Sequence, residues 1–364
     1  MNVIDSAHEI EVKPGLIIKV LKPKIDAISL TCNGKKALEV IAKFNNDKYK
    51  AVAHDYWKGF YARAILEAMS PDHDLVEFAG KRTPGYGFSV VLKLKSSGAL
   101  VKLSGKPVGH RAAIRMEYNP SHFDKKSIKD LLAVWWMIDL GNVPLPALLV
   151  DARMTRLDVA VDVLNVKPYD LLVYHKKIWK IWSASSYPHG VETLNYYLQS
   201  GHHKSPLLSP KKRSNLIVYN KKKELIANGK YPEYGDLEHT RIEWSLTKNM
   251  PLSNLAKMPY PFSNWEIRRT IVEESPLPGG LWQLLLDSAR FRGFGAAGKL
   301  IPKESWLKGI TKIPENYLPK DVVTQSLWQY WDEAIKNAHL QDMVKWAKAD
   351  PKELINTYSE YEML

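Results

Sequence analysis

The chain is poor in cysteine, because Cys32 is the single cysteine among 364 residues. One cysteine excludes an intrachain disulfide framework and a cysteine-rich zinc site, and it fits a reducing cytosol. The amino-terminal residues MNVIDSAHEIEV also lack the apolar stretch of a secretory signal. We therefore expect a cytoplasmic protein.

Long uninterrupted hydrophobic runs are lacking as well. The most apolar stretch, LLAVWWMIDLGNVPLPALLV at residues 131–150, is broken by an aspartate, a glycine and two prolines. It predicts a buried helix and a turn rather than a membrane span. No P-loop, Ser-His-Asp elbow or dinucleotide fingerprint is found in the sequence either.

Positive charge is abundant. Lysine and arginine number 52 against 39 acidic residues, which gives a formal net charge of +13 and a pI near 9.4. With 45% hydrophobic and 25% charged residues, the composition is typical of a soluble globular protein. The charge favours a polyanionic partner, and nucleic acid comes before an anionic membrane because no span is predicted.

The apolar patterns predict an α+β fold with a mostly antiparallel, curved sheet and helices packed on one face. Strands rich in β-branched and aromatic residues are predicted at 25–31, 88–94, 100–104, 113–118, 156–163, 193–198, 215–219 and 241–246. Helical spacing is found at 34–43, 125–138, 168–182, 281–290, 324–338 and 341–346.

The character of the sequence changes after about Thr247, where prolines become frequent. We place a boundary near residues 247–252. The prediction is a loosely attached arm at residues 1–22, a catalytic domain at 23–250, and a mainly helical carboxy-terminal part at 251–364 that contributes to recognition of the partner.

Three predicted strands share the pattern Arg-apolar-acid, with the acids Glu117, Asp158 and Glu243. Side chains two apart on a strand lie on one face, so each arginine points the same way as its acid. One interpretation is a ladder of arginine–acid pairs across neighbouring strands, worth roughly 0.2–1 kcal/mol each. The other is a site for Mg²⁺ or Mn²⁺, which prefer carboxylate oxygens and would polarise a phosphodiester.

The stretch LIVYNKKKEL at 216–225 ends a predicted strand in Tyr219, which lysines follow at once. Tyr219 and Lys221 share a face if the strand continues to Lys221. A nearby cation favours the phenolate and so activates a nucleophile. The alternative is a half-buried strand tyrosine followed by a solvated lysine turn, and Lys222 and Lys223 fit that turn better than Lys221 does.

Basic residues cluster around this stretch and again after the predicted helix at 281–290. Such residues neutralise phosphates and give salt-sensitive DNA binding, whereas the alternative is a basic loop without a dedicated partner. The candidate DNA-binding residues are Lys204, Lys211, Lys212, Arg213, Arg290, Arg292 and Lys299.

The order of AIRMEYNPSHF, MTRLDVAVDV, LIVYNKKKE and HTRIEWSLTKNM resembles the Rep_trans family of replication initiators from rolling-circle plasmids and filamentous phages. The similarity spans about residues 24–250. The longer segment QSGHHKSPLLSPKKRSN departs from the compact loop of that family, and it leaves Tyr196 and Tyr197 as rival nucleophiles.

The resemblance implies an endonuclease and strand transferase that binds origin DNA in double-stranded, hairpin or single-stranded form. Tyr219 would attack one strand, become linked to the 5′ phosphate and leave a 3′ hydroxyl. Asp158, Glu243 and Glu117 would hold Mg²⁺ or Mn²⁺, with Asp162 as the competitor of Glu117 for the third position. Lys221 would neutralise charge.

The resemblance also implies partners in a bacterial host, namely a helicase and a polymerase, and a homodimer is one expected oligomeric state. Two alternatives are a non-catalytic, sequence-specific DNA-binding regulator of replication or transcription on the same scaffold, and an RNA-binding protein.

Overall fold

The computed structural model describes residues 6–13, 15–37, 39, 76–79, 84–109, 111–137, 144–175, 181–184, 193–198, 214–247, 249–269, 279–292, 320–321 and 325–361. The architecture is α+β, as predicted, with a large antiparallel sheet and helices towards the carboxy terminus. The chain divides into two compact units. The first comprises Met1–Pro23, Val159–Leu246 and Pro259–Trp331, and the second Lys24–Asp158, Thr247–Met258 and Asp332–Leu364.

The strands are β1 (Ser6–Lys13), β2 (Leu16–Leu21), β3 (Lys24–Cys32), β4 (Val76–Ala79), β5 (Tyr86–Leu94), β6 (Leu100–Pro107), β7 (Ile114–Tyr118), β8 (Arg153–Leu164), β9 (Leu171–His175), β10 (Ile181–Ala184), β11 (Thr193–Leu198), β12 (Ser214–Asn220), β13 (His239–Leu246), β14 (Met250–Pro251), β15 (Trp265–Arg269) and β16 (Lys320–Asp321). The α-helices are α1 (Lys125–Met137), α2 (Leu145–Leu148), α3 (Lys221–Ala227), α4 (Gly279–Arg292), α5 (Trp331–Asn337), α6 (Leu340–Trp346) and α7 (Pro351–Tyr361).

In the first unit the strand order is β10-β11-β12-β13-β8, and the hairpin β1-β2 adds to β8 through β2. One face of β12 and β13 is apolar, because Leu216, Val218, Ile242 and Trp244 are buried. The ring of Trp244 packs against Trp265 at a centroid distance of 5.7 Å. The second sheet of this unit has the order β16-β15-β9. The alternation of β12 and β13 therefore leaves their other face for polar side chains.

In the second unit the strand order is β8-β3-β7-β6-β5-β4, and β14 pairs with the start of β8. Alternate residues of β7 are buried, and Tyr118 packs edge-on against Trp135 of α1 at 6.0 Å. Trp135 in turn contacts Trp346 of α6. The core of this unit therefore lies between the sheet and two helices that are far apart in the sequence, α1 and α6.

Each strand predicted from sequence is confirmed, with bounds that differ by a few residues. The helix predicted at 168–182 is wrong where the structure describes it. Residues 168–170 form a 3-10 turn, and β9 and β10 follow. Leu171, Leu172 and Val173 are all buried, so β9 is covered on both faces and produces an apolar run that also matches helical spacing.

The loosely attached arm predicted at residues 1–22 needs correction as well. Residues 6–13 and 16–21 form the hairpin β1-β2, with Gly15 at φ +79° in its turn. Ile18 and Val20 are fully buried, and Val20 pairs with Val163 of β8. The amino-terminal segment is thus an integral part of the first unit.

The remaining predicted helices agree with the structure where it describes them. Residues 35–37 and 39 are helical, and the rest of the helix predicted at 34–43 lies outside the described residues. The segment predicted at 324–338 begins with a 3-10 helix at Gln325–Tyr330 before α5. Among the described helices, none has the length and apolar character needed to span a membrane.

Candidate functional site

Tyr219 lies near the end of β12 on the polar face of that strand. Its neighbours Leu216 and Val218 are buried, whereas the side chain of Tyr219 is half-buried. The phenol of Tyr219 donates to Oε2 of Glu243 on β13, with 3.4 Å between the two oxygens. The Glu243 carboxylate thus accepts a hydrogen bond from the phenol, and the hydrogen in that bond is the proton that a tyrosine must lose before it acts as a nucleophile.

Arg241 lies directly opposite Tyr219 in the register of β12 and β13. Its Nε and a terminal amine donate to both carboxylate oxygens of Asp162 on β8, at 2.7 and 2.9 Å. Both side chains are buried, and Nε2 of His239 lies 3.2 Å from Asp162. Asp162, the alternative third metal ligand, is therefore held by a bidentate arginine. This pair fixes the backbone position across from Tyr219.

Lys221 begins α3, so β12 ends at Asn220 and the condition for Tyr219 and Lys221 to share a strand face is not met. Asn220 caps the helix, because its side-chain oxygen accepts from the backbone N–H of Lys223 at 2.9 Å. The ammonium of Lys221 still lies 5.8 Å from the ring centre of Tyr219, and it pairs with Glu224 at 2.6 Å. A positive charge therefore lies beside the tyrosine, but it comes from the first residue of a helix and not from a continued strand.

The predicted lysine turn is also corrected. Lys222 and Lys223 lie in the first turn of α3, and Lys222 donates to the backbone oxygen of Asp236 at 2.9 Å. The residue that sequence reasoning missed here is Asn220. Its signal is the asparagine between a strand and a polar, helix-forming run, where asparagine is a favoured cap.

Glu117 and Asp158, two of the predicted metal ligands, lie in the second unit. Arg115 donates to Glu117 at 2.7 Å, and Arg156 binds both oxygens of Asp158. Asp158 is 2% exposed, whereas the side chain of Arg156 is 47% exposed. The expectation that each arginine shares a strand face with the acid two residues away is confirmed for these two strands, where the two side chains also pair. Arg241, on the third strand, pairs with Asp162 of β8.

The predicted cation site does not fit the contacts of these carboxylates. Arginine side chains form ion pairs with Glu117, Asp158 and Asp162. Glu243 accepts a hydrogen bond from the hydroxyl of Tyr219. Across the ranges that the structure describes, no group of three or more histidines, cysteines, aspartates and glutamates could hold a metal ion. Mg²⁺ or Mn²⁺ therefore stays a prediction.

Most of the predicted DNA-binding residues lie outside the described residues. This holds for Lys204, Lys211, Lys212, Arg213 and Lys299. Arg290 and Arg292 belong to the last turn of α4.

The rival nucleophiles Tyr196 and Tyr197 lie in β11. Their backbones pair with Leu216 and Asn215 of β12, so they are separated along the sheet from the pairing of Thr193 with Tyr219. Tyr219 is the candidate whose side-chain contacts the structure describes.

The chain was also compared with known proteins. A scan against protein-family models gives no match, and a search of curated proteins gives none either.

Proposed function

We propose that the protein initiates rolling-circle replication. It binds a plasmid or phage origin, nicks one strand through Tyr219 with a 5′-phosphotyrosine link, and rejoins the strand after replication. The observation that carries this proposal is the contact between the Tyr219 phenol and the Glu243 carboxylate, with the Lys221 ammonium beside the ring. The order of the four motifs that resemble the Rep_trans family supports it independently.

The proposed reaction uses Glu243 as the base. As the phenol oxygen of Tyr219 attacks phosphorus, its proton passes to Glu243. The bond from phosphorus to O3′ breaks, and the leaving oxygen takes a proton from water to become a 3′ hydroxyl. Rejoining is the reverse, because a 3′ hydroxyl attacks the phosphotyrosine and releases Tyr219. The positive charge of Lys221 favours the anionic phenolate and the phosphate that it approaches.

The net charge of +13 supports a nucleic acid partner for this reaction. Each neutralised phosphate releases counterions, so binding to origin DNA should weaken steeply as salt rises. A host helicase and polymerase would extend the 3′ hydroxyl. Whether nicking requires a divalent cation is tested by comparing the reaction in Mg²⁺, in Mn²⁺ and in a chelator.

The test is incubation of the full chain with a supercoiled plasmid that carries its own gene and flanks. We expect nicked circles with covalently attached protein. Tyr219→Phe should keep DNA binding and lose the attachment, because phenylalanine lacks the attacking oxygen. Tyr231→Phe is the matched control, since Tyr231 is 97% exposed and should react as the natural chain does. An adduct that persists in Tyr219→Phe would assign the nucleophile elsewhere, with Tyr196 and Tyr197 next.

A second candidate is a non-catalytic DNA-binding regulator of replication or transcription on the same scaffold. The observation that favours it is that Glu117, Asp158 and Asp162 each pair with an arginine. Such pairs are expected if the acids stabilise the sheet rather than bind a metal ion. It predicts salt-dependent binding to a specific DNA sequence, with neither nicks nor adduct in any of the three metal conditions.

A further inference from the structure

A polar cavity of about 360 Å³ is lined by residues of the second unit, whereas Tyr219 belongs to the first. Its walls come from the end of β3, the starts of β5 and β8 and the segment that leads into β7. Arg111, Arg115 and Arg153 line it together with the carboxylate of Asp151. Three guanidinium groups and one carboxylate leave the lining with two excess positive charges.

The carboxylate of Asp151 is hydrogen-bonded to the backbone. It accepts from the N–H groups of Gly34 and Lys35 at 3.2 and 2.8 Å, which fastens the segment after β3. Arg115 is paired with Glu117. The other two arginines are held by neutral groups: Arg111 donates to the backbone oxygen of Pro84 at 2.9 Å, and Arg153 to the side chain and backbone of Asn249.

The fold makes room for Arg111 by means of a glycine. Gly85 has φ +81°, and a Cβ added there would lie 2.0 Å from Cζ of Arg111. The guanidinium group therefore lies across the bare Cα of Gly85, which fixes it at the cavity wall. Any side chain at this position would both strain the backbone and displace the arginine.

The neutral lining adds hydrogen-bonding groups rather than more charge. Burial raises the pKa of the Tyr86 phenol even though Arg115 and Arg111 lower it, so the hydroxyl stays protonated at neutral pH. Burial, and then Asp151, raise the pKa of the Cys32 thiol, which also stays protonated. Among the described residues that line the cavity, Asp151 is thus the one anionic group.

We propose that this arginine cavity binds the phosphate of a nucleotide unit. Guanidinium groups match phosphate oxygens in pairs, which makes arginine the usual residue for this group. The cavity exceeds what a bare ion needs and falls in the range of roughly 300–1,000 Å³ that small-molecule sites occupy. The nucleotide unit belongs either to a single DNA strand or to a free mononucleotide. The inference requires phosphate binding alone and does not depend on strand transfer.

The test measures binding of the full chain to two probes, a fluorescent single-stranded oligodeoxynucleotide and a deoxynucleoside monophosphate, over a range of salt. Arg111→Gln and Arg153→Gln should each weaken binding of the probe that uses the cavity by roughly tenfold. For the oligonucleotide, the slope of log affinity against log salt should also fall by roughly 0.7 for each lost contact. Lys129→Gln removes the same charge from an exposed position on α1 and should change neither probe's affinity by that much.

A second variant separates the cavity from the general charge of the chain. Gly85→Ala keeps every charge but displaces Arg111, so it should weaken binding as Arg111→Gln does. Gly98→Ala is its control, because Gly98 has a similar φ of +69° and its added Cβ would meet only a side-chain atom of Lys93 at 3.8 Å. Circular dichroism and the melting temperature without ligand establish that each variant is folded.

Loss confined to the oligonucleotide identifies a strand phosphate as the ligand, and loss confined to the mononucleotide identifies a free nucleotide; both support the proposal. Folded Arg111→Gln and Arg153→Gln variants that bind both probes as Lys129→Gln does would overturn it. Because Tyr219 is left intact in all of them, the result stands whether or not an adduct forms.

Discussion

Replacement of Arg241 by methionine tests the buried pair that underlies the Tyr219 site. Asp162 is 2% exposed, and both of its oxygens accept from Arg241. Arg241→Met would remove the bidentate partner of the buried Asp162 carboxylate and leave Nε2 of His239 at 3.2 Å from it. Removal of one partner of a buried ion pair costs about 3–5 kcal/mol, because the remaining charge stays uncompensated.

Equilibrium denaturation followed by tryptophan fluorescence measures this cost. The 12 tryptophans of the chain contribute to the signal together, and they include Trp244, which is on the same strand as Arg241 and packs against Trp265. The double variant Asp162→Leu with Arg241→Met removes both charges and should recover most of the lost stability. If Arg241→Met changes the free energy of unfolding by less than about 1 kcal/mol, the pair does not hold the strands as we argue.

Three further predictions concern the site and the core. Glu243→Gln should keep DNA binding and slow adduct formation by roughly 10²–10⁴, the usual contribution of a positioned base, as a rapid-quench time course would measure; an unchanged rate would remove Glu243 from the reaction. Asn220→Ala should destabilise the first unit by roughly 0.5–2 kcal/mol through loss of the α3 cap, whereas Asn220→Asp should keep the cap, as denaturation would reveal. Cys32, the single thiol, should react with iodoacetamide near pH 8.5 only after unfolding, because its raised pKa keeps it protonated in the folded chain; rapid labelling of the native protein, read by mass, would contradict this. Ionisation of the unfolded thiol also means that its contribution to stability is present below the unfolded pKa and declines as pH rises above it.

The local sequence pattern was sufficient to predict the strands that carry the site. The period of two along β12 and β13 places Tyr219, Arg241 and Glu243 on the face opposite the buried apolar residues of these strands. The same period places Arg115 with Glu117, and Arg156 with Asp158, on one strand face, where the structure pairs them. These are contacts between residues close in sequence, where geometry follows from the strand itself.

Contacts between distant segments could not be predicted in the same way. Arg241 on β13 pairs with Asp162 on β8, which depends on which strands are neighbours. The arginine cavity collects Arg111, Arg153 and Gly85 from separate segments, so no local motif marks it. β9 was mistaken for a helix because a strand buried on both faces has no alternation to reveal it.

Peptide mapping of a covalent protein–DNA adduct tests the central claim most directly. Cleavage after Arg213 and Lys221 yields the peptide SNLIVYNK, residues 214–221, in which Tyr219 is the single tyrosine. Tyr196 and Tyr197 fall in a different peptide. We predict that mass spectrometry finds the nucleotide on SNLIVYNK after reaction with an origin-bearing strand. A nucleotide on the peptide with Tyr196 and Tyr197, or on neither, would contradict the assignment of Tyr219.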